Sequence, residues 1–193
     1  MPREEQAAAT RSELLRVARE LFAARGYADV GTEEIVRAAH VTRGALYHHF
    51  EDKRDLFRAV HGQLAEEILA TIVAGTAGSA DPFEALTRGM RAFLDACTDP
   101  AVIRISHLDA PAVLGWAEWR EVDAQHWLGV VSMALQEAMD ARLMRRQEVQ
   151  PLAHMLLGAM VEASMLIADT ANPKAARGEV EGPLLALLEG LRV

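Results

Sequence analysis

Between Val41 and Phe57 the chain crowds Thr42, Arg43, Tyr47, His48, His49, Lys53 and Arg54 into one stretch, VTRGALYHHFEDKRDLF. These are hydrogen-bonding groups of one kind: a guanidinium fork able to bind bidentately, a phenol, imidazoles, a hydroxyl and an ammonium. The chemistry they share is recognition of a polyanion. They sit in a chain of 193 residues whose net charge is -8, so bulk basic composition does not explain them.

The charge is unevenly divided. Residues 1–60 balance ten Lys/Arg against ten Asp/Glu and add His40, His48 and His49, while the remaining residues carry the whole -8. A neutral, histidine-bearing segment on an acidic body suits a molecule that offers one end to a polyanion. Bond-breaking chemistry finds little support: GxSxG, HExxH, GxxxxGK[ST] and CxxC are all missing. The one cysteine, Cys97, excludes an internal disulfide and a cysteine zinc site. His107, Asp109, His126 and His154 match no metal-ligand spacing, so no metal or cofactor is expected.

Helical periodicity runs through the chain, and strand alternation is missing. Thr10 and Glu13 read as a capping box, followed by Leu14, Ala18, Leu21 and Phe22 at helix spacing until Arg25-Gly26. Gly31-Thr32 caps a short second helix, TEEIVRAA, with two acids in its first turn. His40-Val41 make a tight turn, Thr42 caps a third helix ending near Phe50, and Asp52 caps the next. Wound at about 100° per residue, Arg43, Tyr47, Gly44 and His48 share one arc. Ala45, Leu46 and Thr42 fall opposite, towards Ile35, Val36 and Leu21. Two short helices joined by a tight turn, the second offering such an arc, form a helix-turn-helix whose second helix fits the major groove. On this wheel His49 points inward, as a structural residue.

The stretch TEEIVRAAHVTRGALYHHFEDKRDLFRAV resembles the DNA-binding region of TetR-type transcriptional repressors, with Leu46, Tyr47, His49, Phe50 and Lys53 in the family's Leu-Tyr-x-His-Phe and Lys places. DAPAVLGWAEWREVDAQ, Asp109 to Gln125, is similar to a segment of some of these regulators. The resemblance implies that Thr42, Arg43 and Gly44 lie against bases and adjacent backbone. It implies too that Thr32, Tyr47, His48 and Lys53 touch phosphates, and that His49 can also reach phosphate, against the helical wheel.

Beyond Asp52 a fourth helix runs to the loop GTAGSAD, and Asp81-Pro82 starts a fifth with the stripe Phe83, Leu86, Met90, Phe93, Leu94 and Cys97. A short helix, AVIRISHL, and a turn, DAPA, are expected next, then long helices over 115–144 and 151–170, and a last segment that Gly182-Pro183 must kink or interrupt. Trp119 and Trp127, eight apart on one helix, together with Met90, Phe93 and Met155, suit an adaptable pocket for a mainly apolar ligand. His107, Asp123, His126 and Glu162 are its candidate polar anchors. Leu152, Leu156 and Gly158, with Leu184, Leu188 and Leu191, are the candidate dimer surface, two helices from each chain closing a four-helix bundle.

The expectation is an all-α protein with an N-terminal three-helix DNA-binding domain carrying a helix-turn-helix, residues 1–52, and a C-terminal helical ligand-binding and dimerisation domain, residues 53–193. It reads as a ligand-responsive regulator, a repressor acting as a homodimer on a palindromic double-stranded DNA operator and released by a small apolar ligand. The start, MPREEQAAATRSELL, lacks the apolar stretch of a signal peptide and no run of 18 uninterrupted apolar residues exists, which points to the cytoplasm and no membrane partner. An α-helical enzyme, or a ligand-binding or interaction protein without operator binding, is the alternative. Operator sequence, ligand identity and the direction of the ligand's effect are not encoded in any motif.

Overall fold

The structure, a computed structural model, describes residues 3–193, the side chains of Arg3 and Asp123 excepted. The chain forms α1 (Arg3–Arg25), α2 (Thr32–Ala38), α3 (Arg43–His49), α4 (Lys53–Thr76), α5 (Pro82–Ala96), α6 (Pro100–Val102), a π-helix (Ile103–Asp109), α7 (Ala110–Leu114), α8 (Trp116–Asp140), α9 (Val149–Ala168) and α10 (Pro173–Glu189). The all-helical expectation holds. Packing gathers the chain into two compact units, one of residues 1–64 and 100–119, the other of residues 65–99 and 120–193. The grouping differs from a single cut after residue 52, because the segment 100–119 packs with the N-terminal helices.

In the first unit, α1 buries Leu14, Ala18 and Phe22 against Ile35 of α2, Leu46 of α3 and Phe57 of α4. Phe22, Tyr27 and Phe57 form an aromatic trio, with Phe22 and Phe57 edge-on at 5.3 Å. α1 begins well before Thr10, which lies inside the helix and bonds back to the Gln6 carbonyl, so the expected capping box is not a helix start. Gly26 ends α1 at φ +83°, where a Cβ would fall 1.7 Å from the Arg104 guanidinium.

A second difference concerns residues 100–114, expected as a helix followed by a turn at DAPA. Helix persists throughout, α6 passing through the π-helix into α7, until Gly115 at φ +82° stops it. The wider register, with the Ala110 N–H reaching the Ile105 carbonyl, lets the helix absorb Pro111, which has no N–H to give. Asp109 fixes the segment by accepting from the Tyr27 N–H at 2.7 Å and pairing with Arg104 at 3.3 Å.

The second unit closes α5, α8, α9 and α10 around Leu94, Leu135, Met139, Ala153 and Ile167. Asp81 caps α5 as expected, its carboxylate accepting from the Glu84 N–H. α10 continues through Pro183, so of the kink or interruption expected at Gly182-Pro183 the interruption does not occur; Leu184 and Leu188 anchor the turns on its inner side. The chain end is clipped to the α8–α9 connection by Arg145 N–H to Leu191 O and Val193 N–H to Leu143 O.

Candidate nucleic-acid interface

The candidate surface is made by the turn between α2 and α3. His40, at φ +53°, reverses the chain, and the Thr42 hydroxyl then accepts from the Ala45 N–H at 3.2 Å to start α3. Leu46 is wholly buried, which fixes the helix roll and leaves Arg43, Gly44, Tyr47 and His48 exposed, as the winding predicts. Thr42 itself is exposed, not turned towards the core.

Arg43 pairs with Glu33 at 3.0 Å and lies 5.5 Å over the Tyr47 ring. Both partners of the pair are about two-thirds exposed, at 66% and 68%, so the pair is weak and Arg43 is available for exchange to a stronger acceptor. A Cβ built on Gly44 would meet nothing closer than the Thr42 hydroxyl at 3.9 Å, so the space beside its backbone is open to close approach. Thr32 opens α2 after Gly31, which supplies no side-chain cap. His49 is half-buried and edge-on to His48 at 5.1 Å. Burial first, then His48 and Arg11, hold its imidazole below the ordinary histidine range.

Lys53 has partners within the chain. Expected on a phosphate, its ammonium instead donates to the Tyr27 carbonyl at 2.8 Å and the Val30 carbonyl at 2.9 Å, and sits 3.9 Å over the Tyr27 ring. Burial lowers its pKa. It fastens the α1–α2 connection to the start of α4. Arg54, grouped in the sequence with the polyanion-binding side chains, and Arg58 likewise have structural partners: both donate to Glu118, and Arg54 also to the Val113 and Leu114 carbonyls.

The expected pocket residues divide. In the second unit a crevice of about 170 Å³ is lined by Ile72, Met90, Trp127, Met133, Met160 and Glu137, among others. Met90 and Trp127 meet there as expected, and Phe93 packs edge-on to Trp127 at 5.8 Å without lining it. Ile72 and Glu137 had no distinguishing sequence signal beyond helical spacing. Met155 is 69% exposed and Glu162 is exposed, both outside the crevice. His126 is half-buried, bonded to the Val122 carbonyl at 2.7 Å. Asp123 is on α8, its side chain outside those described. Trp119 and His107 belong to the first unit. Trp119 is 1% exposed, beside Trp116. His107 is buried on the π-helix, both ring nitrogens without a hydrogen-bond partner among the described residues. Burial, then the neighbouring His61, lowers its pKa to about 4.

Two family descriptions match this chain: residues 14–60 fit "Bacterial regulatory proteins, tetR family", and residues 83–191 fit "Tetracyclin repressor-like, C-terminal domain". The chain belongs to the TetR family. Its similarity to a TetR-family transcriptional regulator of Pectobacterium atrosepticum spans 100% of this chain and 98% of that one, with 32% identity and a TM-score of 0.88. It is 28% identical to the transposon Tn10 TetC protein of Escherichia coli over 77% of this chain and 75% of that protein. The probable acrEF/envCD operon repressor of E. coli K12 is 40% identical over 42% of this chain and 37% of that protein. As a TetR-family member this protein is a DNA-binding transcriptional regulator and not an enzyme.

The residues expected at a dimer surface lie as follows. Leu156, Leu184 and Leu188 are buried in their own protomer's core, and Leu152 and Leu191 pack against it. The outward faces of the same helices carry Met155, Glu162 and Leu166 on α9, with Gly178, Gly182, Ala186 and Leu187 on α10. Gly158 is half-buried and has open space where a Cβ would point. Both helices are apolar on two sides, and spacing alone does not say which side turns inward.

Proposed function

We propose that this regulator is a repressor that binds a palindromic operator as a homodimer and is released by a small, mainly apolar ligand. The single observation that carries the DNA reading is the α3 surface: Arg43, Gly44, Tyr47 and His48 exposed on one face of a helix capped by Thr42 and rolled into place by Leu46. In this reading Thr42, Arg43 and Gly44 face bases, and Thr32, Tyr47, His48 and His49 face phosphates. Lys53 positions the helix from behind. The resemblance to a protein named an operon repressor supports repression. Footprinting on the DNA upstream of the gene, with Arg43→Ala as the control, tests it; protection of a palindrome lost in the variant is the expected result.

Exposed Met155, Leu166 and Leu187 beside small residues at four-residue spacing, Gly178, Gly182 and Ala186, support a second copy as their cover, since small residues let helices approach closely. The Trp127 crevice supports an apolar ligand, with Glu137 replacing Glu162 as the carboxylate at its edge. Release follows if ligand favours a conformation that spaces the two reading heads wrongly, through different affinities for the two states. The setting is the cytoplasm. α9 is long and apolar enough by composition to cross a membrane, but its Ala153, Leu156, Met160, Ala163 and Ile167 pack into the core, which supports a soluble chain.

A further inference from the structure

We propose that the buried cluster of His61, Ser106 and His107, within the first unit, is a ligand-anchoring site of its own, and that it selects an uncharged hydroxyl-bearing ligand, a phenol or alcohol, over hydrocarbons, amines and carboxylates. The inference deepens the ligand-responsive reading and rests on it. Arg54, Arg58 and His61 share one face of α4. The two arginines hold Glu118, and His61 Nδ1 meets the Ser106 hydroxyl at 3.3 Å. That face therefore lies against both the π-helix and the start of α8. In the π-helix three successive residues, Ile105, Ser106 and His107, are buried. The π-turn that admits Pro111 brings two polar side chains inward together.

A buried imidazole with neither nitrogen bonded to a described group is an unusual arrangement, because burying a polar group without a partner is destabilising. Neutral, it offers one donor and one acceptor, and a hydroxyl offers both in return. The same environment disfavours charge on the ligand. An amine would need a carboxylate, and the two on this stretch are engaged: Asp109 with Tyr27 N–H and Arg104, Glu118 with Arg54 and Arg58. A carboxylate would need a cation, and those three arginines are engaged by the same groups. Trp119, on the element that Glu118 anchors, adds a buried indole N–H with no partner among the described residues, a further donor for an oxygen.

The test uses the full chain, labelled with ¹⁵N-histidine, titrated with phenol, toluene, benzylamine and benzoate as probes. Phenol should shift the His107 ring signals and bind about tenfold more tightly than toluene, the difference expected of one or two buried hydrogen bonds. His107→Phe should bring phenol to the level of toluene, and His107→Gln, which keeps a donor and an acceptor, should restore part of the preference. Equal affinity for phenol and toluene, a preference for benzylamine or benzoate, or a phenol affinity untouched by His107→Phe overturns the assignment. An operator gel shift run alongside separates the two levels. A chain that shifts operator but shows no hydroxyl preference overturns this inference alone, whereas one that shifts no operator overturns the repressor reading on which it rests.

Discussion

Arg54, at the start of α4, and Glu118, in the first turn of α8, form an ion pair at 2.6 Å across 64 residues of sequence. Glu118 also accepts from Arg58, while Arg54 holds the last carbonyls of α7, so one carboxylate and one guanidinium fasten residues 113–118 to the helix that follows the reading head. Glu118→Gln should lower stability by about 1–2 kcal/mol at neutral pH, the range for charge-assisted bonds that are partly exposed. Bonds from Arg58 and then Arg54 hold the Glu118 carboxyl below the usual carboxylate range. Its contribution is therefore present at neutral pH and lost as pH falls through that depressed value. Urea melts of parent and variant should differ at pH 7 and converge near pH 3.

Arg43→Ala should cost about 1–3 kcal/mol of operator binding and relax preference at one base position in each half-site. Folding stability should barely change, because the pair it makes with Glu33 is exposed. Gel shifts with single-base operator variants read the first effect and thermal melts the second; a uniform loss across all sequences would move Arg43 from bases to phosphates.

Lys53→Met behaves differently. The variant keeps the aliphatic stem but leaves the Tyr27 and Val30 carbonyls without their ammonium, so stability should fall by about 1–3 kcal/mol. The dependence of operator affinity on salt should keep its slope. A slope shallower by about one would show that the ammonium reaches a phosphate in the complex.

These contrasts show what a sequence yields and what it withholds. Thr42, Asp52 and Asp81 were legible as caps because a cap bonds to an N–H three residues on, and the α3 face was legible because Leu46 is the large apolar residue among its neighbours. Lys53 was not, since its partners lie 23 and 26 residues earlier and only tertiary packing brings them near. Continuity through Asp109–Pro111 was hidden because a proline ordinarily stops an α-helix, and the π-register that admits it has no sequence signature. The leucines of α9 and α10 were recognised as apolar stripes, but spacing could not assign them to the core or to a partner.

That last ambiguity gives a paired prediction. Leu187 is 62% exposed and Leu188 only 1%. Leu187→Glu should yield folded monomers that lose operator affinity, since each head alone makes half the contacts. Leu188→Glu places a carboxylate in the protomer's own core and should destabilise the fold itself by more than about 3 kcal/mol. Sedimentation velocity and circular dichroism together distinguish the outcomes; a Leu187→Glu chain that stays dimeric would place the interface elsewhere.

The buried His107 makes stability depend on pH in a definite direction. Burial, reinforced by His61, lowers its pKa from 6.5 to about 4 in the folded chain, so the unfolded chain takes up a proton at a pH where the native chain refuses it. Folding is thus opposed as pH drops below the unfolded value. The loss accumulates between about pH 6.5 and 4 and stops below that window, where both states are protonated; over it, the shift corresponds to about 3 kcal/mol. His49, also depressed, adds a smaller slope of the same sign. Denaturant melts from pH 7.5 to 4 should therefore show stability falling more steeply in the parent than in His107→Phe, which keeps the His49 contribution and loses the larger one. Equal slopes in the two proteins would mean that His107 is charged, or solvated, in the folded state. Binding of an uncharged hydroxyl ligand should extend the parent's loss of stability to lower pH, because a ligand that bonds to the neutral imidazole lowers its pKa again.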